Sequence, residues 1–418
     1  MSRLTVTGGR PLHGRLRVPG DKSISHRALL LAAVAEGTSV VRGLSDGDDV
    51  ARTAAAIQAL GAVVNGVRIR GGRGLLREPD GVIDVGNSGT TIRLLSGLAA
   101  GFDWLTVLTG DASIRSRPMA RVAEPLRRMG AGVDGRQGGS LPPLVVRGGD
   151  LKAIEYDLPV ASAQVKAAVL LAGLSAEGET VVRERVRTRA HTEELLALAG
   201  ADIRVSDGGR AVSLRRGPLH RFELDVPGDP SQAAFWLVAG CLVSGSDVVV
   251  ENVYLGPARG GFLDVLARMG ASVERVRGAD LRAHYHGLLH ATDVGPEEMP
   301  GLIDEVPVLA VAAALAEGTT TFSGIEELRV KESDRVAAIE AQLSALGARV
   351  ESDTHRLVVH GSGGRLHGAY VDAGGDHRMA MALAVAALGA SGETIVDGWE
   401  AVSTSYPRFE DDLRSCLG

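Results

Sequence analysis

Lys22, Ser23 and Arg27 stand where a Pro19-Gly20 turn runs into the apolar stretch 28–35. That spacing predicts a helix start, where unpaired N–H groups and the positive dipole end favour an anion, so the group reads as a phosphate or carboxylate site. A second cluster, Glu327-Leu328-Arg329-Val330-Lys331-Glu332-Ser333-Asp334-Arg335, sets a carboxylate between a lysine and an arginine. Such an arrangement can hold an acid/base group in a field of cations. A third, Arg115-Ser116-Arg117-Pro118, is cationic. Each also has a plain structural reading, as a solvated basic surface or an ion-paired helix start.

Of 45 basic residues only four are lysines: Lys22, Lys152, Lys166 and Lys331. A lysine can give up a proton and an arginine in effect cannot, so in a chain this committed to arginine a lysine marks a position where arginine will not serve. Two of the four fall in the clusters above.

The elements that must position these residues repeat. Gly-Ala pairs begin at positions 61, 130, 200, 270 and 347, with spacings of 69, 70, 70 and 77, so the 418-residue chain holds six such units. Each unit reads as a short strand, a polar cluster, an apolar helix, a Gly turn, a strand and a more polar helix; the last lacks the Gly-Ala pair. The apolar helices, at 28–35, 92–100, 165–174, 233–243, 306–316 and 378–388, are hydrophobic nearly all round and must be buried on every side. The second helices, such as 50–60 and 335–346, carry a polar face and belong outside them. Three units packed around their buried helices, twice, give an α/β protein of two domains, with Pro227-Gly228-Asp229-Pro230 as the best linker.

Polar clusters precede all six buried helices: Lys22 to Arg27, Asn87-Ser88-Gly89-Thr90-Thr91, Ser162-Ala163-Gln164, Asp229-Pro230-Ser231-Gln232, Asp304-Glu305 and Asp376-His377-Arg378. Capping explains a Ser or Asp at each. It does not explain Lys22, Arg27, Gln164 and Arg378 together.

Composition narrows the function. With a net charge of −6 and 3% aromatic residues, the chain lacks the stacking platforms and basic surface of a nucleic-acid binder. Its longest apolar runs, such as 306–316, are about half the roughly 20 residues a membrane span needs. Cys241 and Cys416 have no metal-ligand or redox spacing, and the N-terminus has no signal or transit character, so a cytoplasmic protein is expected.

PGDKSISHR, GNSGTTIRLL, SRPM, ASAQVKAAVLLAGL, IDEVPVLAVAAA, ELRVKESDR and DHRMAM occur here in order. In sequence and approximate spacing they resemble 5-enolpyruvylshikimate-3-phosphate synthase, an enolpyruvyl transferase, and the resemblance runs from Leu4 to Leu413. It implies two domains, each of three βαβαββ units packed around buried parallel helices, with the active-site cleft between them. In that family the chain crosses twice, which implies one discontinuous domain of residues 1–18 plus 229–418 and another of 19–228, the N-terminal strand joining the second half. The implied reaction moves the enolpyruvyl group of phosphoenolpyruvate to the 5-hydroxyl of shikimate 3-phosphate and releases phosphate, a step of chorismate and aromatic amino-acid biosynthesis. No metal or organic cofactor is implied, and the expected partners are these two small molecules, with the protein a monomer.

By the same resemblance, Lys22, Ser23, Arg27, Ser162, Ala163 through its backbone, Gln164, Arg189, Asp304 and Lys331 bind shikimate 3-phosphate. Lys22, Gly89, Arg117, Gln164, Arg335 and Arg378 bind phosphoenolpyruvate, with Asn87 in the same loop; at Gly89 the missing side chain lets a small anion approach. Asp304 is the expected base for the 5-hydroxyl, and Glu332 the proton shuttle at the methylene carbon, with Lys22 the competing donor. Gly89 followed by Thr90 predicts inhibition by glyphosate. Several positions depart from the best-known family pattern: Ala163 replaces a serine, His191 a tyrosine and Glu327 an asparagine. The segment Val402-Ser403-Thr404-Ser405-Tyr406-Pro407 lacks a lysine found in one branch, so one phosphoenolpyruvate contact expected from the resemblance is missing. The alternatives are a UDP-N-acetylglucosamine enolpyruvyl transferase and a non-catalytic phosphate- or RNA-binding repeat protein. The first usually has a cysteine in the loop equivalent to 111–117 and Lys-Asn in its opening motif, whereas here that loop has no cysteine and Ser23 follows Lys22. The second leaves Asp304 and Glu332 without a purpose.

Overall fold

Six helices are buried along nearly their whole length in the computed structural model, which describes residues 2–418. They are Lys22–Val34 (α1), Gly89–Ala99 (α2), Ala163–Gly173 (α3), Pro230–Leu242 (α4), Val306–Leu315 (α5) and His377–Gly389 (α6). Five are capped by an acid or serine whose side chain accepts a backbone N–H: Asp21, Ser88, Ser162, Asp229 and Asp376. Glu305, before α5, makes no such bond. Asp229 and Pro230 therefore open α4 rather than extend a linker, leaving Pro227-Gly228 between strand and helix.

The Gly-Ala marker is the stop signal of the second helices. Gly61, Gly130, Gly200, Gly270 and Gly347 all have φ between 81° and 106°, the left-handed conformation that ends a helix and that a side chain resists.

The chain forms two compact bodies. The first is Gly20–Val226, with three four-stranded sheets. In one, Ile83–Asp84 lies parallel to Leu105–Thr109, which pairs antiparallel with Leu141–Arg147, itself antiparallel to Gly132–Gly135. Glu155–Asp157, Glu179–Arg183, Ala211–Arg215 and Asp202–Ser206 repeat this order, as do Glu223–Asp225, Gly37–Arg42, Arg68–Gly71 and Val63–Asn65. In the first two of these sheets the parallel edge strand precedes the buried helix of its unit, and in all three the antiparallel pair follows the outer helix.

The other body joins the chain up to Pro19 with Pro227–Gly418. Two of its sheets have the same four-stranded order. In the last unit, Glu393–Asp397 pairs parallel with Tyr370–Asp372 and antiparallel with the N-terminal strand Arg3–Thr7, which supplies what the shortened sixth repeat lacks.

The first strands of two units are exchanged in sequence. His13–Leu16 comes just before α1 yet pairs with Asp247–Val250 after α4, while Glu223–Asp225 comes just before α4 yet pairs with Gly37–Arg42 after α1. No helix among the described residues is long and apolar enough to cross a membrane.

Candidate active site

In the Gly20–Val226 body the buried Asp21 carboxylate accepts the Ile24 N–H at 2.9 Å, which starts α1 so that Lys22 and Ser23 occupy its first turn and Arg27 the next. Arg27 is buried and donates to Ser23 O (2.9 Å), Thr192 Oγ1 (2.7 Å) and Ala163 O (3.3 Å). Arg189 Nη1 donates to Ser23 Oγ at 3.3 Å. Two guanidiniums and a hydroxyl thus meet at the starts of α1 and α3. Burial pushes the Arg27 pKa down to about 10; Glu193 opposes the shift and Arg189 adds to it. The guanidinium is still charged at neutral pH, and an anion held beside it and Arg189 would offset their mutual repulsion. Lys22 Nζ pairs with Asp49 Oδ2 at 2.9 Å.

A second cluster of this body surrounds the start of α2. Ser88 Oγ accepts the Thr91 N–H at 3.2 Å and leaves Gly89 as the first helical residue. A Cβ on Gly89 would lie 2.6 Å from Arg117 Nη1 and 3.2 Å from Arg93 Nη1, so only glycine admits both guanidiniums as they stand. Arg117 Nη2 donates to Asn87 Oδ1 at 3.0 Å. Gln164 Oε1 accepts from Arg93 Nη1 (2.7 Å), and its Nε2 donates to Thr90 Oγ1 (2.9 Å). The turn Ser162-Ala163-Gln164 therefore bridges both clusters: Ser162 caps α3 at 3.4 Å, Ala163 O meets Arg27, and Gln164 meets Arg93.

The other body gathers Asp304, Lys331, Glu332, Arg335 and Arg378. Asp376 caps α6, its Oδ1 accepting the Arg378 N–H at 2.9 Å. It also takes Arg335 Nε (2.8 Å) on Oδ2 and Nη2 (3.3 Å) on Oδ1. Arg335 Nη2 reaches Glu332 Oε2 at 2.6 Å, and Nη1 lies 3.5 Å from Asp304 Oδ1. Arg378 approaches Asp304 through Nε (3.4 Å to Oδ1) and Nη1 (3.2 Å to the carbonyl oxygen). Burial works against the Arg335 charge, yet Asp376 and then Glu332 outweigh it and raise its pKa above the ordinary guanidinium range. Burial lowers the Lys331 pKa, Asp304 opposing and Arg335 adding. Among the described residues no group of three or more His, Cys, Asp or Glu side chains is placed to hold a metal ion.

Four residues of these clusters were not among those the sequence nominated. Asp49 holds Lys22, Thr192 holds Arg27, Arg93 holds Gln164 and Asp376 holds Arg335. Arg93 and Asp376 lie inside the motif strings, whereas Asp49 and Thr192 carry no local signal. In the segment without the branch lysine, Ser405 Oγ accepts from Gln232 Nε2 at 3.1 Å at the start of α4, and the buried Tyr406 donates to Asp412 Oδ2 at 2.7 Å.

The family model for EPSP synthase (3-phosphoshikimate 1-carboxyvinyltransferase) matches residues 6–413. The chain belongs to the EPSP synthase family. The 3-phosphoshikimate 1-carboxyvinyltransferase of Pelotomaculum thermopropionicum is 50% identical over 99% of each chain, and that of Gloeobacter violaceus is 51% identical over 98% of each. The solved structure of EPSP synthase from Acinetobacter baumannii superposes with a TM-score of 0.86 at 38% identity, covering 99% of this chain and 98% of its own. The enolpyruvyl transferase NikO from Streptomyces tendae, at 20% identity and a TM-score of 0.78 over 99% and 96% of the two chains, shares the fold.

Proposed function

We propose that the protein is a 3-phosphoshikimate 1-carboxyvinyltransferase. It adds the 5-hydroxyl of shikimate 3-phosphate to C2 of phosphoenolpyruvate while C3 is protonated; loss of a C3 proton with phosphate from the tetrahedral adduct then leaves the enolpyruvyl ether. Membership of the EPSP synthase family supports the activity. The observation that supports the substrate reading is the placement of Arg27 and Arg189 together around Ser23, two guanidiniums and a hydroxyl that suit a phosphate dianion.

Shikimate 3-phosphate is bound by Lys22, Ser23, Arg27, Ser162, Ala163, Gln164, Arg189, Asp304 and Lys331. Phosphoenolpyruvate is bound by Lys22, Gly89, Arg117, Gln164, Arg335 and Arg378. Asp304, oriented by Arg335 and Arg378, takes the proton of the 5-hydroxyl. Glu332, tied to Arg335 at 2.6 Å, exchanges the proton at C3, and Lys22 is the alternative donor. The reaction so read needs no metal or organic cofactor. The protein acts as a cytoplasmic monomer without a nucleic-acid or membrane partner.

Phosphate release tests this. Mixing both substrates should liberate inorganic phosphate, each alone should not, and Lys22→Met and Glu332→Ala should abolish the release. A wild type that releases phosphate only with UDP-N-acetylglucosamine and phosphoenolpyruvate, or that binds RNA tightly and releases none, contradicts the reading.

A further inference from the structure

Lys166 lies one turn along α3 from Ala163, is 1% exposed, and has no part in the chemistry above. Its Nζ is 2.9 Å from Glu184 Oε1 and 2.7 Å from Glu193 Oε1, and both carboxylates are themselves buried. Glu184 also accepts the Thr188 N–H (3.0 Å) and the Thr188 hydroxyl (2.7 Å). One ammonium therefore closes both ends of the segment 184–193.

Within that closed segment lie two residues that build the paired-arginine cluster. Arg189 donates to Ser23 Oγ, and Thr192 Oγ1 accepts from Arg27 Nε. We infer that Lys166 is a positioning residue for the shikimate 3-phosphate phosphate group: by clamping Glu184 and Glu193 it fixes the backbone that presents Arg189 and Thr192 to α1. The inference rests on the substrate reading above and goes beyond it in assigning a residue that touches no substrate.

Three considerations carry it. Buried ion pairs add little net stability over apolar packing, because removing the charges from water offsets their attraction. A fully buried one-lysine, two-glutamate cluster is therefore better explained by what it orients. A compact ammonium with three donors fits between two carboxylates, where the planar guanidinium fork demands more room, which accounts for a lysine in an arginine-dominated chain. Glu193 also supplies the negative charge that opposes the burial of Arg27, so the clamp bears on both arginines.

The test is calorimetric titration of shikimate 3-phosphate, and separately of shikimate, into the wild type, Lys166→Met, and the triple variant K166M/E184Q/E193Q. The triple variant neutralises all three cluster members together, so neither carboxylate is left facing a missing ammonium. Both variants should keep the wild-type circular dichroism spectrum, bind shikimate as the wild type does, and bind shikimate 3-phosphate about ten- to a hundredfold more weakly, the cost of misplacing a binding group by about 1 Å. In steady state, KM for shikimate 3-phosphate should rise far more than kcat falls. If Lys166→Met does not fold, the triple variant decides. Unchanged affinity for shikimate 3-phosphate, an equal loss for shikimate, or failure of both variants to fold overturns the inference. A wild type that binds neither compound fails the functional reading, and the inference falls with it.

Discussion

Arg335 and Asp376 form a two-point ion pair, Nε to Oδ2 at 2.8 Å and Nη2 to Oδ1 at 3.3 Å, with both side chains at most 1% exposed. The same carboxylate caps α6, so one residue both starts a buried helix and neutralises a buried cation. Asp376→Ala removes the fully buried two-point partner of Arg335, leaving it Glu332 and the more distant Asp304, and removes the α6 cap as well. It should destabilise the protein by about 3–5 kcal/mol in denaturant unfolding. Asp376→Asn, which keeps an oxygen for the cap, should lose less. A change below the error of the unfolding measurement in the alanine variant would contradict this account.

Gly89 sits where a methyl group would meet Arg117 Nη1 at 2.6 Å. Gly89→Ala must push Arg117 aside, and with it a guanidinium of the proposed phosphoenolpyruvate site. KM for phosphoenolpyruvate should rise about tenfold, equivalent to ~1.4 kcal/mol, with KM for shikimate 3-phosphate little changed. Submillimolar glyphosate should inhibit the wild type, and the alanine variant should need more. A wild type uninhibited at millimolar glyphosate rules this out.

In the proposed reaction Glu332 is the proton shuttle at C3 and Lys22 the alternative donor. Glu332→Gln keeps the size and a hydrogen-bonding oxygen but cannot shuttle a proton, so kcat should fall about a hundred- to ten-thousandfold with both KM values nearly kept. Lys22→Arg keeps the charge without a proton to give, and should act mainly on KM. The reverse pattern, a collapse of kcat in Lys22→Arg alone, would move the proton transfer to Lys22.

His26 is fully buried, with Nδ1 2.6 Å from Thr53 Oγ1 and no hydrogen-bond partner for Nε2 among the described residues. Burial, then Lys22 and Arg27, hold its pKa well below the usual histidine value. As pH falls below about 6.5 the unfolded chain takes up a proton that the folded one refuses, so stability drops at up to about 1.4 kcal/mol per pH unit. His26→Asn should flatten that slope between pH 6.5 and the lower folded-state pKa. Identical slopes for wild type and variant, from unfolding followed at several pH values, would refute the assignment.

The repeat and its six buried helices are legible in the sequence because both signals are local. A helix with no polar face has nowhere to lie but inside, and a second helix that ends in the left-handed conformation needs glycine at its stop. The cationic, capped start of α1 is legible for the same reason: Asp21, Lys22, Ser23 and Arg27 fall within two turns of one helix. Their partners are not, because Asp49 lies 27 residues from Lys22 and Thr192 lies 165 from Arg27. Neither has a local pattern distinguishing it from an ordinary helix-start residue.

The sequence by itself determined the units, their buried helices, the polar groups at the helix starts and membership of the family. Only the tertiary structure decided which strand completes which unit and which carboxylate answers which cation. The exchange of His13–Leu16 and Glu223–Asp225 is invisible in side-chain pattern because sheet pairing joins backbone groups, which are the same in nearly every residue. The ties of Lys166 to Glu184 and Glu193 likewise appear only when packing removes all three from water, for it is burial that turns a charge into a demand for a partner.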